Sequence, residues 1–224
     1  MSSDILLTIW LSPSFPVGAF AYSHGLEWAA EAGDVRDEAT LVTWLKDLVE
    51  HGGARADAIL LASTMRATFA RDADALREIN ELALALAPSA ERRLETAQQG
   101  RSFHAAIAAA WSKPGVDWAN EILADEIAYP VAVGIACAAH DIPPPRACEA
   151  FALGFVANLV SAAVRLSVIG QTQGQRALAA LAAPVAALGA RAAETSLDDL
   201  GAASFRSDIA SMRHETQYSR LFRS

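Results

Sequence analysis

The sequence has few lysines, cysteines and aromatic residues. Lysine supplies two of its 18 basic residues, cysteine occurs twice, and aromatic residues make up 7% of the 224 residues. Acidic residues outnumber basic ones by 26 to 18, and the resulting net charge of −8 excludes general binding to nucleic-acid backbones. The two cysteines, Cys137 and Cys148, are too few for a disulfide framework and form no CxxC pattern. We therefore expect them to be buried free thiols.

Motifs for catalysis and for cofactor binding are also missing. The chain has no GxxxxGK[ST] loop and no two glycines at positions i and i+2, and its histidines form neither HExxH nor an i, i+4 pair. Ser23 and His24 suggest a nucleophile and base, but neighbours on a helix point about 100° apart, so we favour a helix cap at Ser23. We expect no catalytic residue, cofactor or bound metal. A small hydrolase using Ser23 and His24, and nickel carriage by histidines or cysteines, stay as alternatives.

Apolar residues recur at helical spacing along most of the chain, and no run alternates as a strand would. Residues 41, 44, 45 and 48 are one such series. Residues 150–164 are almost wholly apolar, which indicates a buried helix but falls short of the ~20 residues that span a bilayer. The spacing predicts a single all-α domain, a bundle of roughly ten helices around a central apolar helix. Without the marks of a signal peptide, we expect a soluble, cytoplasmic chain that binds no membrane.

Glycine, proline and capping residues set the predicted helix boundaries. We expect a helix over residues 23–32, a helix capped by Asp37 that runs to about residue 51, a helix that starts at residues 88–89, a turn at 113–115 and a rigid linker at 143–145. Gly170 to Gly174 is expected to break the chain between two long helices, and Pro184 to kink the second of them.

Residues 10–27 form an unusual run near the N-terminus. Its eighteen residues hold two prolines, two glycines and four aromatic residues. Two interpretations are equally supported by the residues alone. The run is either a rigid loop pinned by its aromatic side chains to a helical core, or a preorganised surface loop for recognition.

The last nineteen residues differ in character from the rest of the chain. Residues 206–224, called the terminal segment below, carry four arginines against two acids, with aromatic residues between them: Arg206, Arg213, Arg220 and Arg223 against Asp208 and Glu215, with Tyr218 and Phe222 interleaved. Arginine and tyrosine are enriched where proteins bind one another. We therefore divide the chain into an all-helical domain over residues 1–205 and a partner-docking segment over residues 206–224.

Three motifs together resemble the UreF family of urease accessory proteins. They are LSPSFPVGAFAYSHGLE near the N-terminus, GQTQGQR at residues 170–176 and SMRHETQYSRLFRS at residues 211–224. The resemblance implies an all-α, cytoplasmic, non-enzymatic homodimer. It further implies partners: the accessory protein UreD (also called UreH) and the GTPase UreG, which together deliver nickel to apo-urease with GTP hydrolysis by UreG.

The resemblance also implies partner-binding residues in each of the three motifs. Tyr22 and Glu27 would lie near the surface offered to the GTPase, whereas a loop over residues 171–175 and the terminal segment would face the UreD-type partner. No dimerisation residues are assigned. The implied partner-binding residues are Tyr22, Glu27, Gln171, Thr172, Gln173, Gly174, Gln175, Met212, Arg213, His214, Glu215, Tyr218, Arg220, Leu221 and Phe222.

The arginines of the terminal segment allow two roles. One of them could stabilise the transferring phosphoryl group in the GTPase, which would make the chain a chemical activator of GTP hydrolysis. We favour the second role, in which Arg213 and Arg220 pair with partner carboxylates and fix a docked conformation. We expect the segment to become ordered against the partner, at an entropic cost.

Overall fold

The computed structural model describes residues 2–123 and 126–224, and within them it contains eleven α-helices and no strand. This confirms the all-α, single-domain prediction. The helices are α1 (Ser3–Trp10), α2 (Leu26–Glu31), α3 (Glu38–Glu50), α4 (Gly53–Ala70), α5 (Ala73–Ala85), α6 (Ala90–Ala110), α7 (Pro114–Ile122), α8 (Tyr129–Ala139), α9 (Pro144–Arg165), α10 (Gln171–Glu194) and α11 (Phe205–His214). Short 3₁₀ turns lie at Ala19–Ala21 and Leu197–Asp199.

Short polar residues begin several helices. Asp37, Asp72 and Ser89 each accept a hydrogen bond from the backbone N–H three residues further on, which satisfies a donor that the first helical turn leaves free. At α3 the side chain of Thr40 also bonds back to the N–H of Asp37, which completes a capping box. These local signals are readable in the sequence, and α3 begins where they predict.

Prolines begin three other helices, and at two of these places the sequence predicts a turn or a linker. Pro114, Pro130 and Pro144 lie in the first turns of α7, α8 and α9. A proline there loses no hydrogen bond, because the first N–H groups of a helix have no partner within it. The turn predicted at 113–115 and the linker predicted at 143–145 are therefore wrong: each site is the start of a helix.

The core is most completely enclosed at α8, where residues 130–138 are all buried between α4 and α6. Gly134 allows this close packing, since a Cβ there would lie 2.8 Å from the backbone oxygen of Leu61. The apolar helix predicted at the centre corresponds to α9, which packs along α10 but leaves Leu153 and Ser161 exposed. Gly154, Asn158 and Ser161 recur at helical spacing and give α9 one face of small and polar residues, which is not fully buried.

Helices α9 and α10 are long and apolar enough to cross a membrane by length and composition alone. The two helices pack against each other and against α3 and α4, and each keeps part of its surface exposed. Helices that form the core of a soluble bundle have the same length and composition.

The helix predicted over residues 23–32 begins later, at Leu26. His24 and Gly25 lie in the left-handed region, with φ of 57° and 76°, and two such residues cannot belong to a right-handed helix. Gly25 also brings α2 close to α11, because a Cβ at Gly25 would lie 2.6 Å from the backbone nitrogen of Ser211. Gly25 therefore occupies the N-cap position predicted for Ser23, although the Ser23 hydroxyl still accepts the N–H of Glu27 in the first turn of α2 at 3.3 Å.

The predicted break at residues 170–174 is also shifted. The chain turns earlier, at Ser167 with φ of 60°, and α10 begins at Gln171. The side-chain oxygen of Gln173 accepts the N–H of Gly170 at 2.8 Å and caps the new helix. Residues 171–175 are therefore the first turn of α10, not a loop. Pro184 lies inside α10, which continues through it.

Candidate functional site

The N-terminal run is pinned to the bundle by aromatic side chains. Trp10 packs edge-on against Phe103 and Trp111, and the ring of Phe15 lies 5.1 Å from that of Phe103. Phe20, further along the same run, is exposed. The run therefore has the rigid geometry of the first interpretation, and it also presents an aromatic side chain at the surface.

The terminal segment packs against this N-terminal run. The N–H of Arg223 donates to the backbone oxygen of Ala21 at 2.8 Å, and the N–H of Ser23 donates to the backbone oxygen of Ser224 at 2.7 Å. The hydroxyl of Ser23 donates to the same oxygen at 2.6 Å. These three bonds join residues 21–23 to residues 223–224, so two distant parts of the chain form one surface.

A stacked arginine strengthens this junction. The guanidinium carbon of Arg165 lies 4.3 Å from the ring centre of Phe222 and 6.0 Å from that of Phe20. Arg165 also donates a hydrogen bond to the backbone oxygen of Phe20. Cation–π contacts of this kind favour a fixed arrangement of the two rings.

Four ionisable residues hold the terminal segment on the body of the protein, and we call them the anchor cluster: Glu27, Glu91, His214 and Arg220. His214 is completely buried between two carboxylates, with Nδ1 at 2.7 Å from Glu91 Oε2 and Nε2 at 3.2 Å from Glu27 Oε2. Arg220 donates to the other oxygen of Glu91. Glu27 also accepts the backbone N–H of Leu221 at 2.6 Å and that of Phe222 at 2.9 Å.

Two further contacts tie the terminal segment to the start of α6. The carboxylate of Glu215 accepts the backbone N–H of Ala90 at 2.7 Å and that of Glu91 at 3.3 Å. A carboxylate is stabilised there by the positive end of the helix dipole. The hydroxyls of Ser211 and Ser89 are 2.6 Å apart. Residues from α11 onward are therefore held along α6 as well as α2.

A second polar group lies deeper, and we call it the inner cluster: His24, Arg92, Glu95, Gln99 and Ser224. Glu95 accepts hydrogen bonds from His24 Nε2 at 2.8 Å, from Gln99 at 2.9 Å, from the Ser224 hydroxyl at 2.7 Å, and from Arg92. Burial alone would raise the pKa of Glu95, but the charges of Arg92 and His24 and the bonds from His24 and Ser224 lower it to about 2. Burial and then the charge of Arg92 lower the pKa of His24.

Two adjoining cavities, of about 190 and 330 Å³, meet at this inner cluster. Their shared wall includes His24, Asp57, Arg92 and Phe155. Burial raises the pKa of Asp57 to about 6, an effect that the charge of Arg92 partly offsets. The terminal segment closes the larger cavity through Ser211 and Met212.

Several side chains of the terminal segment point away from the body of the protein. Tyr218 is fully exposed, and Leu221 and Met212 are 62% and 51% exposed. Arg213 and Trp28 both line a cleft of about 500 Å³ between α2 and α11. An exposed group of large apolar side chains beside an arginine is typical of a protein-binding surface.

The predicted partner-binding residues divide into exposed and buried ones. Exposed residues are Gln171, Thr172, Gln175, Met212, Arg213, Glu215, Tyr218, Arg220 and Leu221, and Gln173 is partly exposed. Buried residues are Tyr22, Glu27, Gly174, His214 and Phe222. The structure joins the first and third motifs directly. In the described residues, no hydrogen bond links residues 171–175 to the terminal segment.

Residues that the sequence analysis did not select turn out to hold the terminal segment. Glu91, Arg92 and Glu95 lie within about one turn of each other on α6, and Ser23 and Ser224 complete the contacts. A signal for the first three was present, since residues 91–95 concentrate charge in a chain that is mostly apolar. Nothing in the sequence indicates that these charges meet residues more than a hundred positions away.

The residues considered for chemistry have other partners. The hydroxyl of Ser23 is buried and donates a hydrogen bond to Ser224, whereas the ring of His24 bonds Glu95. The two side chains therefore point to different partners and cannot act together on one substrate. Burial raises the pKa of Cys137, and burial raises that of Cys148 to about 12, which favours unreactive thiols. Residues 2–123 and 126–224 contain no group of three or more histidine, cysteine or acidic side chains placed to hold a metal ion.

The fold and the site define an all-helical protein whose N-terminal run and terminal segment are joined into one surface. Comparison with known proteins gives its family: the UreF family model matches residues 35–182. The chain is 60% identical over 218 residues to a urease accessory protein UreF of Xanthobacter autotrophicus, an alignment that spans 97% of this chain and 90% of the relative. A UreF protein of Methylorubrum populi is 53% identical over the full length of both chains. The chain belongs to the UreF family.

Similarity to UreF proteins also extends beyond residues 35–182, which the family model matches. The model match contains the second motif but ends before the terminal segment and begins after the N-terminal run. A UreF relative from a Methylobacterium species aligns over 98% of this chain at 56% identity. Similarity to relatives therefore includes the two regions that form the surface described above.

Proposed function

We propose that this chain acts as a scaffold in urease maturation. In this role it is a cytoplasmic homodimer that binds a UreD-type accessory protein and the GTPase UreG. The assembly inserts nickel into apo-urease and couples that step to GTP hydrolysis by UreG. The chain itself catalyses no reaction and binds no nucleic acid or membrane. Nickel enters the proposal as the cargo of the assembly.

One observation supports the proposal above all others. The terminal segment exposes large apolar side chains, while its backbone is held in place by hydrogen bonds to buried residues. Tyr218 and Leu221 flank the anchor cluster, whose carboxylate on Glu27 fixes the N–H of Leu221 at 2.6 Å. A surface held in its binding conformation costs less entropy on association than a flexible one. This arrangement favours a binding role for the terminal segment.

The engagement of the polar residues supports a non-catalytic role. Ser23, His24 and Glu95 are occupied in bonds within the chain. A nucleophile and its base must reach a common point, and these groups bond in different directions. To act as a nucleophile and its base, Ser23 and His24 would have to break the hydrogen bonds that hold the terminal segment.

The roles of individual residues follow from their exposure. We propose that Met212, Arg213, Tyr218, Arg220 and Leu221 contact the UreD-type partner directly. Buried residues of the same motif, such as His214 and Phe222, shape that surface from beneath. Gln171, Thr172 and Gln175, at the exposed start of α10, would form a separate part of the assembly surface.

Substituting three exposed residues tests the scaffold proposal. We expect the variant Met212→Ser, Tyr218→Ala, Leu221→Ala to fold normally but to bind the UreD-type partner at least about a hundredfold more weakly, because large central side chains dominate interface energies. Affinity is measured by calorimetry with purified partners, and folding by circular dichroism. Removing residues 211–224 entirely is a poorer test. The deletion would remove the groups that form hydrogen bonds with the buried or partly buried carboxylates of Glu27, Glu91 and Glu95.

A matched control is Phe69→Ser on α4, which removes a side chain that is 53% exposed and lies outside the terminal segment. We expect its affinity for the partner to stay within about twofold of the original protein, as for a residue outside an interface. Undiminished binding by the triple variant would refute the scaffold proposal as drawn here.

Arg213 favours one alternative, chemical activation of the GTPase. Arg220 bonds Glu91, whereas Arg213 is exposed in the cleft beside α2 and forms no salt bridge with another described residue. An arginine that acts on a phosphoryl group is worth roughly 10³–10⁵ in rate. This alternative predicts that Arg213→Ala slows single-turnover GTP hydrolysis by UreG to that degree while binding persists. The scaffold proposal predicts that any loss of rate follows a loss of binding.

A further inference from the structure

Glu27 has contacts that a residue facing a partner would not have. It is 8% exposed, and both of its carboxylate oxygens face the terminal segment. One oxygen accepts the N–H of Leu221, and the other accepts the N–H of Phe222 and Nε2 of His214. Two consecutive backbone N–H groups aimed at one anion form a concave binding site. The backbone of the terminal segment therefore curls around this carboxylate.

The position of this carboxylate determines what the surface presents. Arg220 and Leu221 lie next to the bonded N–H groups, and both are exposed. The adjacent residue Phe222 is buried and stacks on Arg165. Turning the chain at this point separates the side chain of Phe222, which packs inward, from that of Leu221, which faces outward. Without the carboxylate, the two N–H groups would be left unpaired in a site with little access to water.

From this geometry we infer that Glu27 is a positioning residue for partner binding. It holds residues 221–222 in place through their backbone and touches no partner itself. The inference rests on the proposed function, because it assigns the exposed side chains of the terminal segment to the UreD-type partner. It differs from the expectation that Glu27 lies on the surface offered to the GTPase.

Glu27→Gln tests the inference in the full chain without any partner. Glutamine keeps the shape but replaces one acceptor oxygen with an N–H₂ group, which would meet a backbone N–H donor. We expect the amide hydrogens of residues 221–222 to exchange with solvent about 10- to 100-fold faster, as the loss of a charge-assisted bond implies. Hydrogen-exchange mass spectrometry of the C-terminal peptide measures this, with α4 and α8 peptides as internal references.

Glu31→Gln is the matched control for exchange. Glu31 lies one turn further along α2, is exposed, and also contacts the terminal segment, through a 2.6 Å bond from the Gln217 side chain. We expect the exchange of residues 221–222 in this variant to stay within about twofold of the original chain, as for an exposed contact. Equal exchange in Glu27→Gln and Glu31→Gln would overturn the inference.

Partner binding is the second measurement. Glu27→Gln should bind the UreD-type partner roughly tenfold more weakly, since only a fraction of the molecules present the competent surface. Glu27→Asp, which retains both acceptor oxygens on a shorter side chain, should recover part of both the exchange protection and the affinity. Glu81→Gln, on the exposed face of α5, should leave affinity unchanged.

The two proposals fail in different ways. Faster exchange in Glu27→Gln with affinity unchanged would refute the positioning role and leave the scaffold proposal standing. An original chain that does not bind the UreD-type partner would refute both, whatever the exchange result. If Glu27→Gln fails to fold, the Glu27→Asp variant decides: exchange protection and affinity equal to the original would contradict a geometric requirement at this site.

Discussion

Replacing Gly100 with alanine is expected to destabilise the protein by at least about 3 kcal/mol, because its Cβ would overlap the backbone oxygen of Ile127. The same Cβ would lie 2.8 Å from the carbonyl carbon of Ala128. Both obstructing atoms belong to backbone, so no side chain can rotate to make room. The chain keeps a glycine in the middle of α6, despite its low helix propensity, because the segment before α8 crosses there.

Chemical denaturation monitored by circular dichroism measures this effect, and Gly53→Ala provides the control. Gly53 is the first residue of α4, and a Cβ at this position would have no heavy atom within 4 Å. We expect that variant to be unchanged or up to about 1 kcal/mol more stable, from helix propensity alone. Equal unfolding midpoints for the two variants would show that α6 and the segment before α8 do not pack as closely as described.

Glu95→Gln is expected to cost about 3–5 kcal/mol at neutral pH. Glu95 is 2% exposed and compensates the charge of Arg92, and removing one member of a buried pair leaves the other charge without compensation. The bond from Ser224 would also be weakened, so the end of the terminal segment should lose protection from hydrogen exchange at the same time. Denaturant titration of both proteins at pH 7 gives the difference in stability.

The pH dependence of this difference provides an independent test. The pKa of Glu95 in the folded chain is about 2, below its ordinary value of 4.5, so its contribution to stability is complete above pH 4.5 and is lost as pH falls towards 2. The stability difference between the original protein and Glu95→Gln should therefore narrow over that interval. Burial and, to a smaller degree, the charge of Glu95 raise the pKa of Asp57 to about 6, so the titration of Asp57 also differs between the two proteins; below the ordinary Asp57 value of 3.8 this carboxyl is protonated in both, and the narrowing there follows Glu95. A difference that does not vary between pH 7 and pH 3 would contradict the buried pairing.

Much of the fold was predictable because helix formation depends on nearby residues. The spacing of apolar residues and the caps at Asp37 and Ser89 are local, and they agree with the structure. The predicted helix boundaries are wrong at two prolines, because proline can either end a helix or occupy its first turn. Proline was interpreted as ending a helix at Pro114 and Pro144, where it begins one.

The candidate site was predictable only in part. Composition identified the terminal segment, because arginine and aromatic residues stand out in an acidic, alanine-rich chain. It did not identify Glu91 or Glu95, whose importance depends on partners far away in sequence. Nor did it separate outward-facing Tyr218 from inward-facing Phe222, since both are aromatic residues in the same motif. That distinction follows from the carboxylate of Glu27, and it needs three-dimensional information.

The bonds between Ser23 and Ser224 join residues that are 201 positions apart. Closing so long a loop carries an entropy cost that must be met before the contact forms, so we expect this junction to form late in folding, after the helices beneath it have packed. The surface around Tyr218 and Leu221 therefore exists only on molecules whose bundle is already complete. A partner that recognises this surface would bind fully folded molecules in preference to partly folded ones. Only chains with a complete bundle would then enter the assembly.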